Sequence, residues 1–280
     1  MPFKHALCNE IYKDWDFREA CKSIRSFGYT GIEIAHFTLA DEPQSISQEK
    51  RREYRQIMQD EDLTFVGLHW VMVAPPGLHV TTPDTALREK SWDHIRHLID
   101  LCGDLGPDSV MVFGSPMQRR STGGSTREEA TKRFVDGLIA VAPQAESRGV
   151  TILPEALSPQ QSDVLQSLDE AAEIVRQIGS PAVQTMFDSH NAVDEVEPHD
   201  KLIERHFDLI RHVHVNENDG GHCGTGDYNF RPILEMLAKK NYKGWISLEA
   251  FKFEPGSERI AGESIEYLNR IIEEISEKRN

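Results

Sequence analysis

Four side chains able to bind a hard metal ion or move a proton recur at regular intervals in the second half of the chain. They are Glu155 in TILPEAL, Asp188 in VQTMFDSH, His214 in IRHVHVNE and Glu249 in GWISLEAF. Each closes a short, largely apolar run that reads as a buried strand. The intervals between them are 33, 26 and 35 residues, about the length of one strand–helix unit. Three carboxylates and one imidazole delivered to the same end of successive strands would hold a divalent cation. Such a set suits Mn²⁺, Mg²⁺ or Co²⁺ better than Zn²⁺, which more often takes Cys and several His. It also suits proton transfer next to a carbonyl. The ion polarises the oxygens and stabilises an ene-diolate, while Glu155 or Glu249 removes or returns the proton.

These residues meet only if the elements carrying them are arranged in a ring. Apolar runs predict strands at 4–9, 31–36, 64–70, 108–115, 151–157, 183–190, 210–217 and 244–251. Helical patterns lie between them, such as SWDHIRHLIDLCGDLG with apolar residues every three or four positions, and SLDEAAEIVRQIG, where Ser167 and Glu170 suit a capping box. Eight strands alternating with eight helical segments, without a break in composition, predict an α/β fold: a single (β/α)8 TIM barrel domain over 1–280. The long irregular stretches 71–83, 114–125 and 216–228 follow strands, where such barrels build their active face.

Further polar residues are expected at that mouth: Glu33 and His36, His69 and Trp70, Ser115, and His190. Glu33 and His69 read either as pocket residues that bind substrate or as hydrogen-bonded residues of the rim. Arg119, next to Arg120 in GSPMQRR, is a candidate for a substrate carboxylate or phosphate, against a solvated loop. Asp188 before Ser-His also suits a turn or helix cap. His222 and Cys223 read as flexible-loop residues within reach of the site, and His94 and His97 as helix-surface residues.

Composition narrows the partners. The 280 residues are 39% hydrophobic and 28% charged, and 46 acidic against 31 basic side chains give a net charge of −15. Such a surface repels a phosphate backbone, so nucleic acid is not an expected partner. No apolar run reaches the roughly 20 residues of a spanning helix, so no membrane partner is expected. MPFKHALCNE has no apolar stretch of signal-peptide length, and the four cysteines form no CxxC pair; a cytoplasmic protein with free thiols is expected.

Taken together, ILPEAL, FDSHNA, RHVHVNEND, GTGDYNF and YKGWISLEAF resemble the xylose isomerase-like TIM barrels, the sugar phosphate isomerase and epimerase superfamily. That group includes D-tagatose 3-epimerase, hydroxypyruvate isomerase and inosose dehydratase, with endonuclease IV-type enzymes further away. The resemblance implies one divalent metal, Mn²⁺ first among candidates, held by Glu155, Asp188, His214 and Glu249. Glu155 and Glu249 would act as acid and base on opposite faces of a sugar-type substrate, with His190 and Glu217 contacting it. A homo-oligomer, dimer or tetramer, is expected by analogy. Three positions depart from the ketose epimerase pattern: Gln161 replaces an acidic residue, Asn191 stands where the histidine falls, and Gly220 replaces an arginine. These implications favour an isomerase or epimerase. A lyase acting on a keto-inositol or 3-keto sugar would use the same site, and an endonuclease IV-type phosphoesterase would need two or three metals.

Overall fold

The computed structural model describes residues 3–278. Eight parallel strands form its centre: β1 Lys4–Cys8, β2 Gly31–Ala35, β3 Thr64–His69, β4 Ser109–Phe113, β5 Val150–Pro154, β6 Thr185–Asp188, β7 Ile210–Val215 and β8 Trp245–Leu248. Their order around the sheet is β5-β4-β3-β2-β1-β8-β7-β6. The remaining seam, between β5 and β6, is bridged where the Ile152 amide donates to Ala182 and the Gln184 amide to Ile152. The result is a single, nearly closed (β/α)8 barrel, as the alternation predicts. The predicted strands run one to three residues past the observed carboxyl ends, into the residues that start the loops.

Helices cover the outside: α1 Phe17–Ser26, α2 Gln48–Asp60, α3 Thr85–Leu105, α4 Pro116–Arg119, α5 Arg127–Arg148, α6 Leu168–Ile178, α7 His199–His206, α8 Arg231–Lys239 and α9 Ser257–Glu277. Eight alternate with strands. The extra one, α4, is a single turn inside the stretch expected to be irregular. Local chemistry sets the helix ends. Asp16, Ser47, Asp84, Thr126 and Ser167 cap with their side chains, and Gly149 and Gly179 end α5 and α6 in the left-handed conformation. The capping box forms at Thr126–Glu129. At Ser167 only half of it forms, because Glu170 turns instead to the Gln166 amide, 2.8 Å away.

Period-two alternation divides the residues of each strand between helices and lumen. In β2, Ile32 and Ile34 join the large apolar core, while Glu33 between them meets histidines of β3 and β7. The same logic places His212 and His214 together. Val112, Leu153 and Met186, with Val110, form a separate small cluster on β4 to β6. The lumen is therefore polar near β1, β2, β3 and β7 and apolar near β4 to β6. All four cysteines are buried and unpaired. Among the described residues no helix is long and apolar enough to cross a membrane.

Candidate metal centre and active-site cavity

Glu155, Asp188, His214 and Glu249 converge. Ligand atoms of Glu155, Asp188 and His214 lie within 4.8 Å of one another. His214 Nδ1 is 3.0 Å from Glu249 Oε2 and 3.6 Å from Asp188 Oδ2. Each comes from the end of a different strand or the residue just after it, so strand register rather than local sequence makes the cluster. The two oxygens of Asp188 differ. Oδ1 accepts from the Asn191 amide at 2.8 Å and caps the following turn, whereas Oδ2 is buried without a hydrogen-bond partner.

The two glutamates are held separately. Asn191 Nδ2 donates to Glu155 Oε1 at 2.8 Å, and Trp70 Nε1 donates to Glu249 Oε1 at 2.7 Å. Gly114 leaves room for Glu155 Oε2, since a Cβ there would lie 2.3 Å from that oxygen. Trp70 and Ser115, both at the cavity, have left-handed backbones with φ of 52° and 50°. That conformation is costly for a bulky residue and is found most often at functional sites.

Behind the cluster lies a second, fully buried row of imidazoles and carboxylates. Glu10 Oε2 accepts from His69 Nε2 at 2.6 Å, and His69 Nδ1 faces Glu33 Oε1 at 3.6 Å. Glu33 in turn accepts from His212 Nε2 at 2.7 Å and from His214 Nε2 at 3.1 Å. Glu33 and His69, expected to bind substrate, do not line the cavity. Their place is behind the His214 ring, away from solvent. Glu10 was not anticipated; its only signal is an acid two residues past the first strand.

Charge in the cluster is unbalanced. Burial, then the neighbouring Asp188 and Glu249, push the Glu155 carboxyl up to about 8. Burial also opposes ionisation of Glu249 and Glu33, but His214 prevails and holds both below the usual carboxylate range. The His214 ring resists charge through burial, yet Glu33 and other anionic neighbours hold its pKa well above the ordinary value. Convergent buried carboxylates, one pushed far up and one with an unpartnered oxygen, fit a divalent cation. With Glu33 on Nε2, Nδ1 is the ring nitrogen turned toward the cluster. Two other donor triads, Cys8–Glu10–His69 and Cys8–Glu33–His214, meet the same distance criterion. Their carboxylates are already engaged by imidazole hydrogen bonds.

Above the cluster opens a cavity of about 410 Å³. Loops 71–83, 114–125 and 216–228 all contribute to its wall, as do Glu155, Glu249 and His190. Gln161, Asn191 and Gly220, the three departures from the epimerase pattern, line it too. Glu217 does not; it accepts from the Gly224 and Tyr228 amides at 2.8 and 2.9 Å and so braces the 216–228 loop from inside. Arg119 is neither a solvated residue nor a cavity-wall residue. It is fully buried, and its guanidinium donates to the carbonyls of Phe113, Glu155 and Leu165. His222 turns away from the site to Glu263, 2.9 Å away. His94 is buried rather than on the helix surface, with Nε2 donating to the Val71 carbonyl at 2.8 Å.

The sequence pattern of the xylose isomerase-like TIM barrel family matches residues 21–271. The chain belongs to that family. This xylose isomerase-like barrel is 22% identical to a ketose 3-epimerase of Arthrobacter globiformis over 61% of its length and 59% of that protein's. It is 25% identical to an L-ribulose 3-epimerase of Mesorhizobium japonicum over 65% of its length and 61% of that protein's. It thus spans about three fifths of these two relatives. Its fold matches the crystal structure of D-psicose 3-epimerase with D-tagatose from Clostridium cellulolyticum H10, with a TM-score of 0.82. That match covers 96% of this chain and 99% of the other at 18% identity.

Proposed function

We propose that this barrel is a divalent-metal-dependent isomerase or epimerase of a sugar or sugar-like keto or polyol compound. One observation carries this reading. Glu155 and Glu249 both face the cavity and share one buried donor cluster with Asp188 and His214. Relatives named as ketose 3-epimerase and L-ribulose 3-epimerase support it. A divalent ion, Mn²⁺ first among candidates, would be held by the four residues and would supply positive charge for the carbonyl oxygen and the hydroxyl oxygen of the reacting carbon.

The chain's own groups account for the proton. Glu155, steadied by Asn191, and Glu249, steadied by Trp70, reach the cavity from different strands. One takes the proton from the carbon next to the carbonyl and the other returns it, the division of labour that inverts a centre. His190, against the Phe251 ring at 5.1 Å, orients a hydroxyl at the wall.

Elemental analysis of the purified protein, beside deuterium wash-in from D₂O across a panel of free ketoses, tests the reading. About one metal per chain, lost in His214→Ala, with label entering a carbon next to the carbonyl, is the expected result. Two or three zinc ions per chain with phosphate affinity would replace it with a phosphoesterase. Absence of metal after reconstitution would end it.

A further inference from the structure

Resting on that reading, we infer that His199 and Tyr228 are positioning residues, a clasp between two cavity loops that aims Glu155 at the reacting carbon. His190 and Asn191 follow β6, Asp219 and Gly220 follow β7, and all four line the cavity. Asn191 is the link to the chemistry. Its backbone amide donates to Asp188 Oδ1 and its side-chain amide to Glu155 Oε1, both at 2.8 Å. One residue thus fixes two of the metal-type donors, and it opens the short turn Asn191–Asp194. A tilt of that turn carries Glu155 with it.

His199, the first residue of α7, holds the turn from outside. Its Nε2 lies 2.9 Å from the Ala192 carbonyl, and its Nδ1 2.7 Å from the Tyr228 hydroxyl. Burial keeps the ring below its ordinary pKa, and so neutral. A carbonyl can only accept. Nε2 therefore carries the hydrogen, Nδ1 offers its lone pair, and the Tyr228 hydroxyl donates. The two rings stack at 5.6 Å and 28°, and Phe187 of β6 packs against His199 at 5.4 Å.

Tyr228 passes the contact to the second loop. Its backbone amide donates to Glu217 Oε2 at 2.9 Å, and His190 Nδ1 donates to the Glu217 carbonyl at 3.2 Å. The clasp reaches Asn191 through Ala192 and His190 through Glu217, while neither His199 nor Tyr228 lines the cavity. Glu249 is held independently, by Trp70 just after β3.

A loosened clasp therefore impairs one carboxylate and spares the other. In D₂O, Glu249 takes the proton from the carbon beside the carbonyl, leaving its electron pair in an ene-diolate. A deuteron acquired from solvent then returns through Glu249 to the same face, which is exchange with retention. Inversion requires Glu155 to deliver the deuteron to the opposite face. General destabilisation would lower both outcomes alike.

Three pairs of C3 epimers serve as probes in D₂O with saturating manganese: D-fructose and D-psicose, D-tagatose and D-sorbose, L-ribulose and L-xylulose. Tyr228→Phe and His199→Phe keep aromatic rings in the stack and drop the hydrogen bonds between them. Both are expected to lower inversion by about 10- to 100-fold, while exchange with retention from the epimer facing Glu249 stays within about threefold. His199→Gln, whose side-chain amide still donates to Ala192, should recover most of the loss. Parallel loss of exchange and inversion, or unchanged inversion, overturns the inference and leaves the isomerase reading standing. Amide hydrogen exchange gives a readout without substrate. In Tyr228→Phe, residues 189–198 and 216–228 should lose protection together, and a loss confined to 216–228 overturns the clasp. If no pair exchanges deuterium in the parent, the isomerase reading falls and the positioning role with it.

Discussion

The Glu33 carboxylate accepts a hydrogen bond from His214 Nε2 at 3.1 Å, on the side of the ring opposite Asp188 and Glu249. One carboxylate buried in the lumen thereby selects the nitrogen that faces the metal-type cluster. Carboxylates in this position orient a histidine ligand and raise its basicity.

Glu33→Gln is therefore expected to weaken metal binding by about 10- to 100-fold. Competition against a chelating dye measures it. Unchanged affinity would reduce Glu33 to a packing role.

Glu155→Gln and Glu249→Gln are each expected to lower turnover by about 10²- to 10⁴-fold, the range of a lost general acid or base. Metal content measured alongside separates loss of proton transfer from loss of the ion. Near-normal turnover in both variants would refute the acid–base pair.

Arg119→Leu removes donors from three buried carbonyls, of Phe113, Glu155 and Leu165. The Phe113 and Leu165 carbonyls keep the Glu155 and Leu157 amides, so a loss of about 1–3 kcal/mol is expected, for the Glu155 carbonyl left unsatisfied. The urea midpoint reads it. A variant as stable as the parent would contradict this structural role.

His36 and His94 pack 5.5 Å apart and donate to the Ala74 and Val71 carbonyls, pinning the loop beside the cavity. Burial lowers both, His36 from 6.5 to about 4. The unfolded chain takes up these protons first. The stability from neutral rings is thus complete above pH 6.5 and is lost as pH falls towards 4. For His36 alone the loss is about 3 kcal/mol at the acid limit, from 1.36 kcal/mol per pKa unit. Unfolding free energies at pH 7 and pH 4.5, for the parent and His36→Gln, test it. The variant should lose less stability on acidification.

Much of the barrel was legible because apolar periodicity is local. The strand ends that carry Glu155, Asp188, His214 and Glu249 are marked by short apolar runs at unit-length spacing, and parallel pairing brings such ends to one mouth. Periodicity also places Glu33 and His69 correctly in the lumen. It cannot give depth along the lumen, so two residues read as substrate contacts stand behind His214.

Arg119 and Glu217 were misread for a related reason. An arginine in a polar, glycine-rich loop looks solvated, and the resemblance implied that Glu217 contacts substrate. The carbonyls and amides that bury these two come from loop conformations with no sequence signature. The polarity of the cavity wall is likewise tertiary. Val73, Val112, Met117, Leu157 and Phe251 are scattered through the chain, and only barrel closure makes them one surface. Repeat length and residue type were enough for the fold and the metal-type donors. Which nitrogen of His214 faces them, and what kind of molecule fits above them, depends on distances across the lumen, which exist only once the barrel closes.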